Sequence, residues 1–366
     1  MSTVPHTPQG QQSVPVSAPT RTNTVIMGKQ GFVRVLLRLI GVEMYKMRRR
    51  VLSKALGSIG LFVMIAVFLV LSMSGFGALN MTYHVSQQCP MKHNTQGQQG
   101  LTSGQTCTQY LSTQQERAQA QKFKQAVLLY DFAPLHLPDS LFNAISIMMI
   151  VGTILLVILA GTIVGGEYSG GTVRFVLTRG PTRTQFLLSK IGALLLCVVL
   201  GFFMMILTGL VVGALLTLPS GIVTSLDFLQ HGGWVHVLLY PLVALFGLFV
   251  CTMLALFLST LGRATAVGVA GALIWFVLES VLSGVLNLLA PSPVGNFLKA
   301  VPDYFISNNI TTLLHNQTYY FTSDPYFTGN PPLVGSNLHA LLVLLGYLVV
   351  FLALSLWVSI RRDITN

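Results

Sequence analysis

Charge is what this chain has least of. Only 8% of its 366 residues are charged, where soluble domains carry about 25%. Acids are scarcer still, ten against 21 Lys and Arg. A chain so poor in charge, with 52% hydrophobic residues, has too little polar surface for a water-soluble fold and belongs in a bilayer. Catalytic signatures are missing too. The dipeptide Gly-Lys occurs only at Gly28–Lys29, with Asn23 where a phosphate-binding loop needs its first glycine. ATP hydrolysis by that route is excluded. There is no H-E-x-x-H, no G-x-S-x-G and no Cys/His cluster at metal spacing. His84 and His93 share a polar segment without partners at ligand spacing, and read as surface residues. No catalytic or metal site is expected.

What is present is apolar length. Six stretches reach the roughly 20 residues that cross a hydrocarbon core: 53–79, 141–165, 191–218, 235–261, 264–289 and 337–360. Apart from Lys54 at a rim, none contains Lys or Arg. Their backbone groups have no water to bond, so they must be helices. The short alternating strands of a barrel are absent. The expected fold is an all-α polytopic membrane protein with six transmembrane helices.

The formal charge of +11 is distributed by topology. Nine cations precede or open the first span: Arg21, Lys29, Arg34, Arg38, Lys46, Arg48, Arg49, Arg50 and Lys54. Arg174, Arg179, Arg183 and Lys190 lie between spans two and three, Arg263 between four and five, and Arg361 and Arg362 end the chain. That places 16 on one side against five on the other, Lys92, Arg117, Lys122, Lys124 and Lys299. The positive-inside rule puts both termini in the cytoplasm, as an even number of spans requires. A nucleic-acid partner is not expected.

Residues 1–28, rich in Pro, Ser, Thr and Gln, read as a disordered cytoplasmic tail. Residues 29–52 read as an interfacial amphipathic helix on the inner leaflet: Arg34 and Arg38 share one face, and Phe32, Val35, Leu36, Leu39 and Ile40 line the other. Residues 53–361 hold the six spans, with external loops at 80–140 and 290–336. Cys89 and Cys107 lie in the first of these loops. A stapling disulfide is the expectation, two separate thiols the alternative. Cys197 and Cys251 lie within spans and read as small core residues. The second loop has prolines that break it and apolar residues that could dip back toward the membrane. Asn80, Asn309 and Asn316 fit N-x-Thr, a pattern frequent by chance.

Polar chemistry is concentrated in 165–190, "GGEYSGGTVRFVLTRGPTRTQFLLSK". Gly170–Gly171 ends the helix leaving span two. After Gly180–Pro181, Thr182 and Gln185 form a T-x-x-Q capping box, so span three begins outside the membrane. Between the breaks, Phe175, Val176 and Leu177 make an apolar knuckle that needs a partner to cover it; an ordinary basic loop is the plainer reading. Glu279 lies inside span five, about 22 Å from its cytoplasmic end. A carboxylate there costs about 2.5–3.5 kcal/mol. It either contacts a substrate path or accepts a buried hydrogen bond, with Tyr240, Asn143 and Asn287 as candidate donors.

Glu167, Gly171, Thr172, Leu177, Pro181, Arg183 and Lys190 together resemble the E-x-x-x-G-T-x-x-x-L-x-x-P-x-x-R-x-x-x-x-x-K stretch of ABC-2 type exporter permeases. "VEMYKMRRR", 42–50, resembles that family's connecting helix. The resemblance implies a permease that docks a separate ATPase through 165–190, using Glu167, Gly171, Thr172, Arg174, Phe175, Leu177, Pro181 and Arg183. It implies two ATPase copies holding the ATP and Mg, a second permease chain, and membrane lipid around both, in a cell membrane expected to be a bacterial plasma membrane. This chain carries no cofactor of its own on that reading. The rivals are a non-transporting membrane anchor or sensor and an intramembrane enzyme, the latter disfavoured by the missing motifs.

Overall fold

In the computed structural model, the described residues are 31–87, 132–171, 181–218, 233–289, 300–318 and 335–361. Among them every regular element is helical. Six helices are long and apolar enough to cross a membrane: Val51–Met73, Asp139–Ser169, Arg183–Thr217, Trp234–Gly262, Thr265–Leu289 and Asn337–Arg361. They are spans one to six. Cys89 and Cys107 lie outside the described residues. The helix of span one runs on to Gln87, and that of span three starts at Arg183, below its apolar run, as its capping box requires.

A leading helix, Phe32–Arg49, precedes span one, with extended Arg50 as the corner between them. It packs on span three. Val35, Leu36, Leu39 and Ile40 are half-buried, whereas Phe32 stays exposed. Gly192 admits the crossing, since a Cβ there would lie 2.6 Å from Ile40 Cδ1. The packed side also carries Glu43, which is buried. The cause lies in span three, in Lys190.

Spans two, four and five form the tightest unit. Span four is its axis, with Ala244, Leu248, Val250, Met253, Ala255 and Leu256 fully enclosed. Close approach comes from small residues. A Cβ on Gly165 would lie 2.5 Å from Thr265 N, and one on Gly268 would lie 2.9 Å from Ala255 O. Ser259 Oγ donates to Gly161 O at 3.0 Å, stitching span four to span two. Spans four and five are joined by a tight turn in which Arg263 takes a positive φ of 54°, so they form a helical hairpin.

The second long loop does dip back. A 3₁₀ turn, Pro302–Tyr304, leads into a half-helix, Ile306–Thr318. It packs between spans four, five and six. A Cβ on Gly247, in the middle of span four, would lie 3.1 Å from Ile310. Asn309 and Asn316, which match a glycan-acceptor pattern, are both buried here. Asn309 Nδ2 donates to Asp303 O at 2.7 Å and Asn316 Nδ2 to Asn337 Oδ1 at 2.5 Å. Their amides hold the loop together and cannot accept a glycan in this fold.

The packing generates a first prediction. Gly165→Ala forces a methyl group onto the backbone of the four–five turn, which cannot step aside as a side chain can. It is expected to cost about 1–3 kcal/mol, read as a lowered melting temperature in detergent. Gly201→Ala, with nothing within 4 Å of the new Cβ, is the matched control and should leave melting unchanged or raised.

Candidate coupling site

The stretch 165–190 is built from its two stems. Span two's helix ends at Ser169. Gly170 N–H then donates to Gly166 O at 3.1 Å and Gly171 N–H to Tyr168 O at 3.2 Å. Gly171 has a φ of +65°, a left-handed conformation that glycine adopts without a Cβ penalty. Thr172, Arg174, Phe175 and Leu177 lie outside the described residues. The chain re-enters at Pro181, and the capping box is formed in both directions. Gln185 N–H donates to Thr182 Oγ1 at 3.3 Å, and Thr182 N–H to Gln185 Oε1 at 3.0 Å. Arg183 Nη1 donates to Ile360 O at 3.0 Å. That bond ties the start of span three to the last turn of span six, whose end carbonyls lack helical partners.

Behind these stems lies a buried ionic cluster. Lys190 is completely buried, and Glu167 and Glu43 are each 6% exposed. Lys190 Nζ sits 2.7 Å from Glu167 Oε2 and 3.4 Å from Glu43 Oε2. Lys46 Nζ sits 2.8 Å from Glu43 Oε1 and 3.4 Å from Glu167 Oε1. Arg50 Nη2 approaches Glu167 Oε1 at 3.9 Å. Lys190 also donates to Ile163 O at 3.4 Å and lies over the Phe186 ring, 4.8 Å from its centroid. The cluster thus joins three elements: the leading helix through Glu43 and Lys46, span two through Glu167, and span three through Lys190. Two carboxylates alternate with two ammonium groups, so each buried charge has opposite charges on both sides. The geometry supplies the pairing that burial demands.

Burial alone would push the Glu43 carboxyl up. The Lys190 charge and the Lys46 hydrogen bond outweigh it and hold the group below its ordinary value of 4.5. Burial would likewise lower Lys46, but the Glu43 hydrogen bond and the Glu167 charge raise it above 10.5. The signs define a window. The Glu43 contribution is full above pH 4.5 and is lost as pH falls through its depressed value. The Lys46 contribution is full below pH 10.5 and is lost as pH rises through its elevated one.

A third buried carboxylate lies in the second half of span five. Glu279 is 5% exposed. Its Oε1 accepts from Trp275 Nε1 at 2.8 Å and from Ile306 N–H at 2.9 Å. Its Oε2 accepts from Ser307 N–H at 2.9 Å and from Ser307 Oγ at 2.6 Å. Ile306 and Ser307 open the half-helix, whose first N–H groups have no helical partner and whose dipole favours a negative charge there. Glu279 thus accepts buried hydrogen bonds, as one of the two sequence readings expects. The donors are not those proposed from sequence. Asn143 Nδ2 donates instead to Pro134 O at 2.9 Å, Tyr240 stacks on Phe142, and Asn287 is exposed. Trp275 lies one turn earlier on span five itself, and the other donors come from a loop that folds back, which periodicity along span five does not reveal.

Sequence reasoning also passed over Glu43 and Lys46 as part of a basic flank. One signal was available: Glu43 is the only acid among the first 50 residues, set at helical spacing among apolar residues.

Two predictions come from the carboxylates. Lys190→Met leaves Glu43 and Glu167 close together and underpaired, at a cost of about 3–5 kcal/mol. The triple replacement Glu43→Gln, Glu167→Gln, Lys190→Met removes the buried charge altogether and should recover most of that loss. Melting temperature and proteolysis of the leading helix check both, and in wild type the same proteolysis should accelerate as pH falls below 4.5. Glu279→Gln places an amide among four donors. Hydrogen exchange at Ile306 and Ser307 should speed up while span five keeps its protection.

No curated protein matches the chain. A family model, described as ABC-2 family transporter protein, matches residues 59–364. The match takes in spans two to six whole and span one from residue 59, and includes Glu167, Lys190 and Glu279. That family is a multi-pass membrane transport component that works with an ABC ATPase rather than a catalyst in its own right. The chain therefore belongs to the ABC-2 family of membrane transporter proteins.

Proposed function

We propose that the chain is the permease subunit of an ATP-driven exporter, forming half of a translocation pathway and docking its ATPase through 165–190. A second permease chain supplies the other half, and two ATPase subunits supply ATP and Mg chemistry. The observation that carries the reading is the cluster of Glu43, Lys46, Glu167 and Lys190 behind the stems of that stretch. A loop that only set topology would need basic residues at its rim, not a lysine with no exposure at all. A loop that transmits force needs a rigid base. Here the base ties the leading helix, span two and span three, and Arg183 adds span six.

The positive-inside argument puts this base, both termini and the leading helix on the cytoplasmic side. The mechanism is then alternating access. ATP closes the ATPase dimer, the joint is displaced, and the two six-span bundles rock because their stems cannot bend locally. Phe175, Val176 and Leu177 are assigned to a groove on the ATPase.

Phe175→Asp places an unpaired carboxylate in that contact, a loss of several kcal/mol, without altering a span. Membrane insertion should be normal, and co-purified ATPase should fall. Glu167→Gln should keep the ATPase bound but lower substrate-stimulated hydrolysis, since Lys190 retains Glu43 at 3.4 Å. Normal ATPase recovery and normal stimulation in Phe175→Asp would reduce the stretch to a basic loop and remove the docking assignment.

A further inference from the structure

Beside the ionic cluster, where the leading helix crosses span three, three sulfur atoms converge. Cys197 Sγ lies 3.9 Å from Met44 Sδ and 3.7 Å from Met47 Sδ. The two methionines are three residues apart and share one face of the leading helix. The cysteine comes from the opposing span. Cys197 is a free thiol with intermediate exposure, and Met47 is 3% exposed. Among the described residues, no group of three His, Cys, Asp or Glu side chains is placed to hold a metal ion. The ligand set here is of a different kind, one thiol and two thioethers.

Those donors are soft. Thiolate and thioether sulfurs favour monovalent copper over the harder divalent ions. The spacing agrees with that chemistry. A trigonal ion with bonds to sulfur of about 2.3 Å needs sulfurs about 4.0 Å apart. Both separations from the cysteine sulfur, 3.9 and 3.7 Å, are close to that value, so the Cys197 sulfur and either methionine sulfur already lie at the spacing of two ligands on one ion.

We propose that Met44, Met47 and Cys197 form a binding site for monovalent copper that bridges the leading helix and span three. On binding, the Cys197 S–H bond breaks, a copper–sulfur bond forms and the proton passes to water. The ion enters and stays in the +1 state, so no oxidant or reductant is consumed. Met44 follows Glu43 and Met47 follows Lys46. An ion held here therefore staples the same pair of helices that the ionic cluster joins, and loads the base of the joint from its other side.

The test uses the full chain carrying Cys89→Ser and Cys107→Ser, so that those thiols cannot bind the probe; buried Cys251 is common to every variant. Under anaerobic conditions the protein competes with the colorimetric chelator bicinchoninate for monovalent copper. The expected result is withdrawal of one equivalent per chain, lost in Cys197→Ser. Met44→Leu and Met47→Leu, which conserve volume, should each weaken binding by about tenfold or more, on the scale of disturbed metal sites. Copper should also slow proteolysis of the leading helix in the parent and not in Cys197→Ser. If the parent withdraws no copper, or if both Met→Leu variants withdraw it as well as the parent, the three sulfurs are a packing contact only and the proposal fails.

Discussion

The structure depends on one interaction that water would have made trivial and burial makes strong. Lys190 has no exposure, and its ammonium lies between the carboxylates of Glu167 and Glu43. In a low-dielectric setting an isolated charge is too costly to hold, so each partner compels the others to stay. The leading helix also docks through apolar residues, with Ile40, Met44 and Met47 packed into the core. Val33, Leu37 and Tyr45 point away from the bundle, and its extended corner at Arg50 leaves its direction open. Glu43 and Lys46 fix that direction. The same charges hold the last turns of span two against the first turns of span three. The connection between them therefore starts and ends on a locked base.

The remainder of the bundle solves a different problem, close approach among apolar helices that gain nothing from leaving water. Small residues do this at the end where spans four and five turn. Gly161, Gly165, Ser259 and Gly268 let three backbones come together, and Ser259 adds a hydrogen bond across them. Toward the opposite end span five is held through the half-helix instead, by the Glu279 carboxylate on its first two N–H groups. The two ends are thus secured by unlike means, steric fit at one and a charged cap at the other. Both buried carboxylate sites sit where a helix begins or ends, the places where backbone polarity is unmet.

Much of the fold was legible because its cause is local. Apolar length names the spans, two glycines stop span two, and Thr182 with Gln185 starts span three ahead of its apolar run. The polar connection between spans two and three was legible as a place, through Glu167, Arg183 and Lys190, but its buried pairing was not. Nothing in the spacing of those residues says that Lys190 meets Glu43, which lies 147 positions away. Glu279 was legible as an anomaly and not as a cap, for the same reason. Two of its donors, Ile306 and Ser307, belong to a loop whose prolines and apolar residues signal a return toward the membrane but not which side chain it meets.

The sequence by itself determined that this is a six-span helical membrane protein with a polar joint between spans two and three, because hydrophobic length and helix-stop signals act within a few residues along the chain. The tertiary structure alone decided which charges pair, which donors reach Glu279 and where three sulfurs meet. Those contacts join residues distant in sequence, and in a bilayer a buried polar group takes its partner from whichever helix or loop the packing brings beside it.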